Sequence, residues 1–389
     1  MTTRAEPAAQ TPHLSARIAS SRLVALDWMR GIVMLLMAVD HSSGEFNAGR
    51  LVTDSTFLYK AGTFLPPAQF LTRWLTHLCA PTFVFLAGVS LAFSLARRVD
   101  SERPLSIDRY LLVRGLIILA AELVPSYFWM PKGHYLLQVL YAIGSAYLFM
   151  IPLRRLPVPV AVGLAVCVAL GAEAVIGAAG WGPAEKTPWL ASLLLCGGAR
   201  GWLFVAYPTL PWLAIMLLGW GFGHALRRRP SAEQLRPLEL LLAGAGALAL
   251  FGAVRSVNSY GNLGLLRDDG SLVQWLHVSK YPPSVSYVAL ELGLMLLVLA
   301  ALAQRARLDR RSPSSRNDPL VVFGQTPMFF YLLHIPLLAL GAQGLGLEHK
   351  LGLGAAYGFA ALAALLLFPA CIWYRRYRTA HPTSFTRYL

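Results

Sequence analysis

Apolar runs of about 17–25 residues recur along the chain, the length needed to cross a bilayer as helix. They fall at approximately 23–41, 74–96, 110–127, 135–152, 158–180, 205–226, 237–255, 283–304, 319–343 and 352–374. Clusters of Pro, Gly and charge separate them, as in "IPLRRLPVP" and "LRRRPSAEQLRP". This pattern predicts an all-α polytopic membrane protein, a bundle of about ten transmembrane helices. The fifth run is weakened by Glu173 and several glycines, so nine helices or a re-entrant segment is the alternative.

Basic residues set the orientation. If the N-terminus is inside, 22 of the 34 Lys and Arg fall in inside segments, 10 in outside loops, and Arg30 and Arg114 lie within helices. The bias places both termini in the cytoplasm. It also accounts for the net charge of +15 without nucleic acid. Composition agrees: 56% of residues are hydrophobic and 14% charged, against about a quarter charged in soluble domains. Mean hydropathy is +0.54.

Three regions are expected. Residues 1–21 are polar and read as a disordered cytoplasmic N-terminus. Residues 22–376 form one transmembrane domain, and 377–389 a basic cytoplasmic tail. No small-residue cleavage site follows the first apolar run, so an uncleaved anchor is expected. Cys79, Cys167, Cys196 and Cys371 are far apart and form no disulfide framework. Gly244, Gly246 and Ala249 mimic a dinucleotide fingerprint, but within an apolar helix small residues serve close packing. No 20–50-residue repeat is visible.

The first run, "DWMRGIVMLLMAVDH", carries Asp27, Arg30, Asp40 and His41. Ionisable groups in a spanning helix are costly and point to function. Arg30 and His41 are 11 residues apart, three turns plus about 20°, so they share one face about 16 Å apart along the axis. Asp27 can pair with Arg30 one turn on. The plain alternative is a dipole-favoured Asp27, a snorkelling Arg30, and Asp40 and His41 marking the outer boundary.

Other helices add polar groups at one depth, slightly below the outer surface. His77 lies in the outer half of the second run. His134 precedes the fourth, and Lys280 precedes the eighth in "HVSKYPPSVSY". His334 comes about 22 Å into the ninth. Glu122 is past the midpoint of the third. A site built from several helices follows.

No HxxxH, HxxE or GxSxG pattern is present, and no metal is expected. A histidine with a carboxylate suits general-base work. Asp40 and His41 are adjacent, however, and point about 100° apart. An acid from another helix, such as Glu122, serves equally. Outer aromatics such as Trp129, Tyr135 and Trp202 suit sugar stacking or an interfacial belt.

Five blocks, "RLVALDWMRGIVMLLMAVDH", "RWLTHLCAPTFVFLAGVSLAF", "YPTLPWLAIMLLGWGFG", "KYPPSVSYVALELG" and "FGQTPMFFYLLHIPLL", span residues 22 to 340. In that order they resemble bacterial membrane proteins grouped with the catalytic domain of heparan-α-glucosaminide N-acetyltransferase. Arg30-x10-His41 is also similar to the signature of bacterial membrane O-acyltransferases.

The resemblance implies an enzyme of the inner membrane that takes acetyl or another acyl group from cytoplasmic acyl-CoA. The acceptor would be a sugar hydroxyl or amine of an extracytoplasmic glycan or glycolipid. Arg30, Asp27 and Arg114 would serve the anionic part of acetyl-CoA, and Lys280 the developing oxyanion. His41 would be general base or acyl carrier, with Asp40 beside it. His334, His134 and Glu122 would face the acceptor. In the lysosomal enzyme the proposed histidine lies in the loop after the first helix. Here that loop, Ser42 to Thr76, has none, so His41 or His77 takes its place. The alternative is a transporter or flippase for a lipid-linked or acylated sugar, though no related halves are seen. The acceptor and the oligomeric state, a homodimer included, stay open at this point.

Overall fold

The computed structural model describes residues 12–99, 104–182, 187–229, 235–308, 317–381 and 384–388. In chain order the helices are α1 (Pro12–Phe46), α2 (Pro67–His77), α3 (Cys79–Val99), α4 (Pro104–Ala121), α5 (Leu123–Trp129), α6 (Val139–Leu153) and α7 (Val158–Ala178). They continue as α8 (Trp189–Ala191), α9 (Thr209–Arg227), α10 (Pro237–Val257), α11 (Leu272–Leu276) and α12 (Val285–Leu308). The last are α13 (Pro319–Gln325), α14 (Pro327–Leu345) and α15 (Leu353–Ala380).

Each of the ten apolar runs is helical over most of its length. Among the described residues eight helical segments are long and apolar enough to cross a membrane, α2 with α3 and α4 with α5 each counting as one. Two runs fall outside that set. The helix α6 has only 15 residues, and α1 carries Asp27, Arg30 and Asp40. The weak fifth run is one unbroken helix, α7, whose Glu173 accepts from the Gly261 N–H at 2.7 Å. Residues 1–11 of the expected N-terminal stretch lie outside the described residues, and α1 begins at Pro12.

Local chemistry places the helix ends. Proline opens α2, α7, α10, α13 and α14, where its missing N–H costs nothing. Asp318 caps α13 by accepting from the Leu320 and Val321 N–H groups. Asn258 and Gly346 close α10 and α14 in the left-handed conformation.

Four helix pairs are clasped by reciprocal glycines. A Cβ on Gly31 of α1 would meet Leu320 of α13, and one on Gly324 would meet the Asp27 carbonyl. Gly88 of α3 and Gly219 of α9 face the backbones at Met216 and Phe85. Gly115 and Gly144 do the same for α4 and α6, and Gly244 and Gly293 for α10 and α12. Small residues let backbones approach where lipid offers no hydrophobic drive for helix association. Gly219→Ala is therefore expected to strain the α3–α9 contact, at an overpacking cost of about 1–3 kcal/mol. A lowered melting temperature in detergent would register it.

A small sheet joins β1 (Tyr135–Leu137), β2 (Gly198–Arg200) and β3 (Leu203–Val205), with β3 central, parallel to β1 and antiparallel to β2. Three-residue strands are too short to show a period of two, so the sequence pattern did not reveal them.

The connections at one end of the bundle interlock. The Lys280 N–H donates to the Asp54 carbonyl at 2.8 Å, the Ala48 N–H to the Leu351 carbonyl at 2.9 Å, and the Thr56 hydroxyl to the Leu263 carbonyl at 2.9 Å. Arg255, fully buried at the end of α10, organises the 258–280 connection. Its five N–H groups reach the carbonyls of Leu265, Gln274, Trp275 and His277 and the Asn262 side chain. The opposite end gathers arginines: Arg154 and Arg155 on Asp108, Arg30 on Asp27, and Arg378 on the Gln325 carbonyl.

Candidate functional site

At the loop end of α1, Asp40 and His41 part company, as adjacent helical residues must. Asp40 turns toward α2. Its Oδ1 accepts from Arg73 at 2.6 Å and from the Thr76 hydroxyl at 3.0 Å, with Arg50 at 3.2 Å. Arg73 also donates through Nε to Asp54 Oδ2 at 2.8 Å. His77 lies 3.2 Å from the other Asp54 oxygen, with neither ring nitrogen in a well-aligned hydrogen bond. Burial pushes the Asp54 carboxyl up, but Arg73 and His77 pull harder and hold it well below the usual carboxylate range. Asp40, Arg73, Asp54 and His77 thus form one buried ion network.

His41 turns the other way, toward α14 and α5. Its Nδ1 is 2.7 Å from His334 Nε2. The two rings are within 6° of parallel with centroids 4.9 Å apart, which sets them nearly end to end for an N–H···N bond. His334, fully buried, has its Nδ1 2.9 Å from the Phe330 carbonyl oxygen.

A carbonyl only accepts, so Nδ1 of His334 carries a proton. With both rings neutral, His334 Nε2 is then a bare acceptor and takes the Nδ1–H of His41. His41 Nε2 is left with a free lone pair. The pair thus fixes the tautomer that a base or nucleophile requires. Trp129, its indole N–H on Glu45 at 2.7 Å, packs edge-on against His41 at 4.6 Å, and Tyr331 does so at 6.1 Å.

The face of α1 that carries His41 also lines two adjoining cavities. One, of about 460 Å³, lies at the arginine end and is walled by Arg30, Arg97, Arg98, Arg114 and Arg378 with Asp27, Ser90 and Gln325. Arg30 donates to Asp27 at 2.8 Å and to Ser90 at 2.7 Å. Asp27 also accepts from Gln325 at 3.0 Å. Arg114 donates to the Tyr110 hydroxyl at 2.6 Å and lies 5.3 Å over the Tyr147 ring.

The second cavity, about 150 Å³, shares Arg30, Ser90, Arg114, Tyr147 and Pro327 with the first. From there its wall is apolar: Met34, Met37, Phe83, Leu86, Leu140 and Ile143. It ends at Met37 and Tyr331, about one helical turn short of His41. Arg30, Met34, Met37 and His41 follow the i, i+4, i+7, i+11 stripe of one face.

The remaining sequence-predicted residues are placed elsewhere. His77 belongs to the Asp54 network. Glu122 is tied to the start of α6, where its Oε2 accepts from the Tyr141 N–H at 2.5 Å, next to the positive end of that helix's dipole. His134 is exposed in the turn before β1. Lys280 is buried at 3% exposure, its ammonium 5.2 Å over the Tyr281 ring and within electrostatic reach of Asp40, His41, His77 and Glu291. Arg73, Asp54 and Tyr331 were not singled out in the sequence. The one available signal was Tyr331 standing three residues before His334, on the same helix face. Among the described residues no three His, Cys, Asp or Glu side chains gather as metal ligands.

Comparison with curated proteins finds no match. A family model does match: heparan-alpha-glucosaminide N-acetyltransferase, catalytic, over residues 22–254, more than half of the chain. The matched stretch includes Arg30, Asp40, His41, Arg73, His77 and Arg114 and ends before Lys280, Tyr331 and His334.

Proposed function

The chain belongs to the heparan-alpha-glucosaminide N-acetyltransferase catalytic family, and on that premise we propose that it carries acetyl groups across the bundle. The donor is acetyl-CoA, or a related acyl-CoA, entering from the arginine end. The acceptor is a sugar amine or hydroxyl, glycan- or lipid-borne, at the loop end. The strong Lys and Arg bias of the sequence supports a cytoplasmic arginine end, and the resemblance to bacterial members of the family supports a bacterial inner membrane. The single observation that carries this proposal is the arginine-walled cavity adjoining an apolar one along the Arg30–Met34–Met37 stripe, on the α1 face that carries His41.

The passage fits the donor's chemistry. Arginines suit phosphates, which they bind as planar forks. An apolar bore suits the thin arm that joins phosphates to thioester. His41 Nε2, bare because its Nδ1–H is given to His334, takes the proton of the acceptor amine or hydroxyl. The acceptor atom bonds to the carbonyl carbon, the C–S bond breaks, and His41 returns its proton to the leaving thiolate. The same lone pair could instead carry the acyl group itself. His334 acts through His41, holding the ring and its tautomer, and the Asp40–Arg73–Asp54 network anchors the outer end of α1 against α2.

Purified protein is expected to gain thermal stability with acetyl-CoA, since a ligand of the folded state stabilises it by mass action. A sugar transporter would show no such gain. Arg30→Gln removes a charged donor from the cavity and should weaken that response about tenfold or more in acetyl-CoA concentration. An unchanged response would take the donor away from this cavity.

A further inference from the structure

We propose that the Tyr331 hydroxyl is the oxyanion donor of the transfer reaction, a role that rests on the acetyl-transfer proposal and adds a reacting group to it. Three observations meet at this side chain. Tyr331 lines the apolar passage together with Met37, the lining residue of α1 nearest His41 in sequence. Its ring packs against both members of the histidine pair, 6.1 Å from His41 and 5.7 Å from His334. Its hydroxyl is buried, and among the described residues it has no hydrogen-bond partner.

A buried hydroxyl without a partner forgoes the hydrogen bonds it had in water. The Tyr374 hydroxyl is also unpartnered, but it touches neither histidine and lines neither cavity. Tyr331 alone among the buried unpartnered tyrosines combines that orphan donor with the end of the passage and the catalytic pair. Its position is also fixed: Phe330 stacks on His334 at 5.0 Å, and the carbonyl of the same Phe330 holds His334 Nδ1. One turn of α14 thus supplies both the residue that orients His41 and the donor beside it.

The chemistry needs a donor at this place. When the acceptor atom bonds to the thioester carbon, the carbonyl π electrons move to oxygen and that oxygen becomes an alkoxide. A neutral O–H within reach stabilises the new charge by hydrogen bonding and keeps its own proton. The alkoxide collapses, the C–S bond breaks, and the thiolate leaves with the proton that His41 had taken. A donor aimed in advance at the developing charge costs no reorganisation during the step. Lys280 lies over the Tyr281 ring and lines neither cavity.

Two measurements on the full-length protein in detergent test this. The first uses the ketone analogue of acetyl-CoA, in which a methylene replaces sulfur, labelled with carbon-13 at the carbonyl. Its infrared carbonyl stretch should be lowered on binding to the wild type and should return toward the free frequency in Tyr331→Phe. The second compares acetyl transfer from acetyl-CoA to glucosamine. Tyr331→Phe should lower kcat about 100-fold or more with the KM for acetyl-CoA little changed.

Phenylalanine deletes only the oxygen, so an unchanged melting temperature and an unchanged thermal response to acetyl-CoA would show that the fold and the donor site persist. If the analogue binds and its carbonyl stretch is the same in both proteins, the oxyanion role is overturned and the acetyl-transfer proposal stands. If the analogue stabilises neither protein, the donor passage itself is wrong and the role falls with it.

Discussion

His41→Ala is expected to abolish acetyl transfer while the acetyl-CoA-dependent rise in melting temperature persists. The separation follows from position. The arginines sit three turns of α1 away from His41, and the apolar passage between them stops at Met37 and Tyr331. Loss of a positioned proton acceptor costs about 10²–10⁴ in rate. The loss should lie in kcat, because the imidazole acts on the reacting bond rather than on the phosphates. His334→Ala should lower the rate less, since His41 would keep a lone pair but lose its preferred tautomer. His77→Ala, by contrast, alters the Asp54 network and leaves the pair intact. If His41→Ala transfers acetyl at the wild-type rate, neither the base nor the carrier role can be kept.

The second large effect concerns stability. Arg73→Met should lower folding stability by about 3–5 kcal/mol, the usual cost of removing one partner from a buried ion pair. Arg73 is the common partner of Asp40 and Asp54, with side-chain exposures of 8%, 14% and 3%. Without it, two buried carboxylates are left with Arg50, His77 and the more distant Lys280 as their cationic neighbours. The triple change Arg73→Met, Asp40→Asn, Asp54→Asn should recover part of the loss, because neither buried carboxylate is then left without its arginine, while Arg50 loses its carboxylate partner. Melting temperatures of the single and triple variants in one detergent check this. A triple variant no more stable than the single one would show that the arginine stem's packing matters more than its charge.

Much of this was legible along the chain, for reasons that particular residues make plain. The ten helical runs were visible because crossing length and apolarity are properties of contiguous sequence. The Arg30–His41 stripe was visible because 3.6 residues per turn is a local rule, and the Asp27–Arg30 pair is found where that rule put it. The divergence of Asp40 from His41 was equally local.

What stayed hidden was non-local. His334 was placed at the right depth, yet its bond to His41 joins residues 293 apart in sequence. The arginine-walled cavity joins Arg30, already picked out in α1, with Arg98 and Arg378, each near its own helix end. Arg73 was not singled out, because its partner Asp54 reaches it only through the loop layer. Of the reciprocal glycines only Gly244 was read in the sequence, as a small packing residue, because which backbone each one meets depends on the packing of the whole bundle.

The most direct measurement is a density map of the protein in lipid nanodiscs with the ketone analogue of acetyl-CoA. The diphosphate should lie among Arg30, Arg97, Arg98 and Arg114, with the arm running past Met34 and Met37 and the carbonyl carbon beside His41 Nε2. An analogue seated at the loop end, or one whose carbonyl stops short of the histidine pair behind a closed Tyr331, would contradict passage of the donor through the bundle.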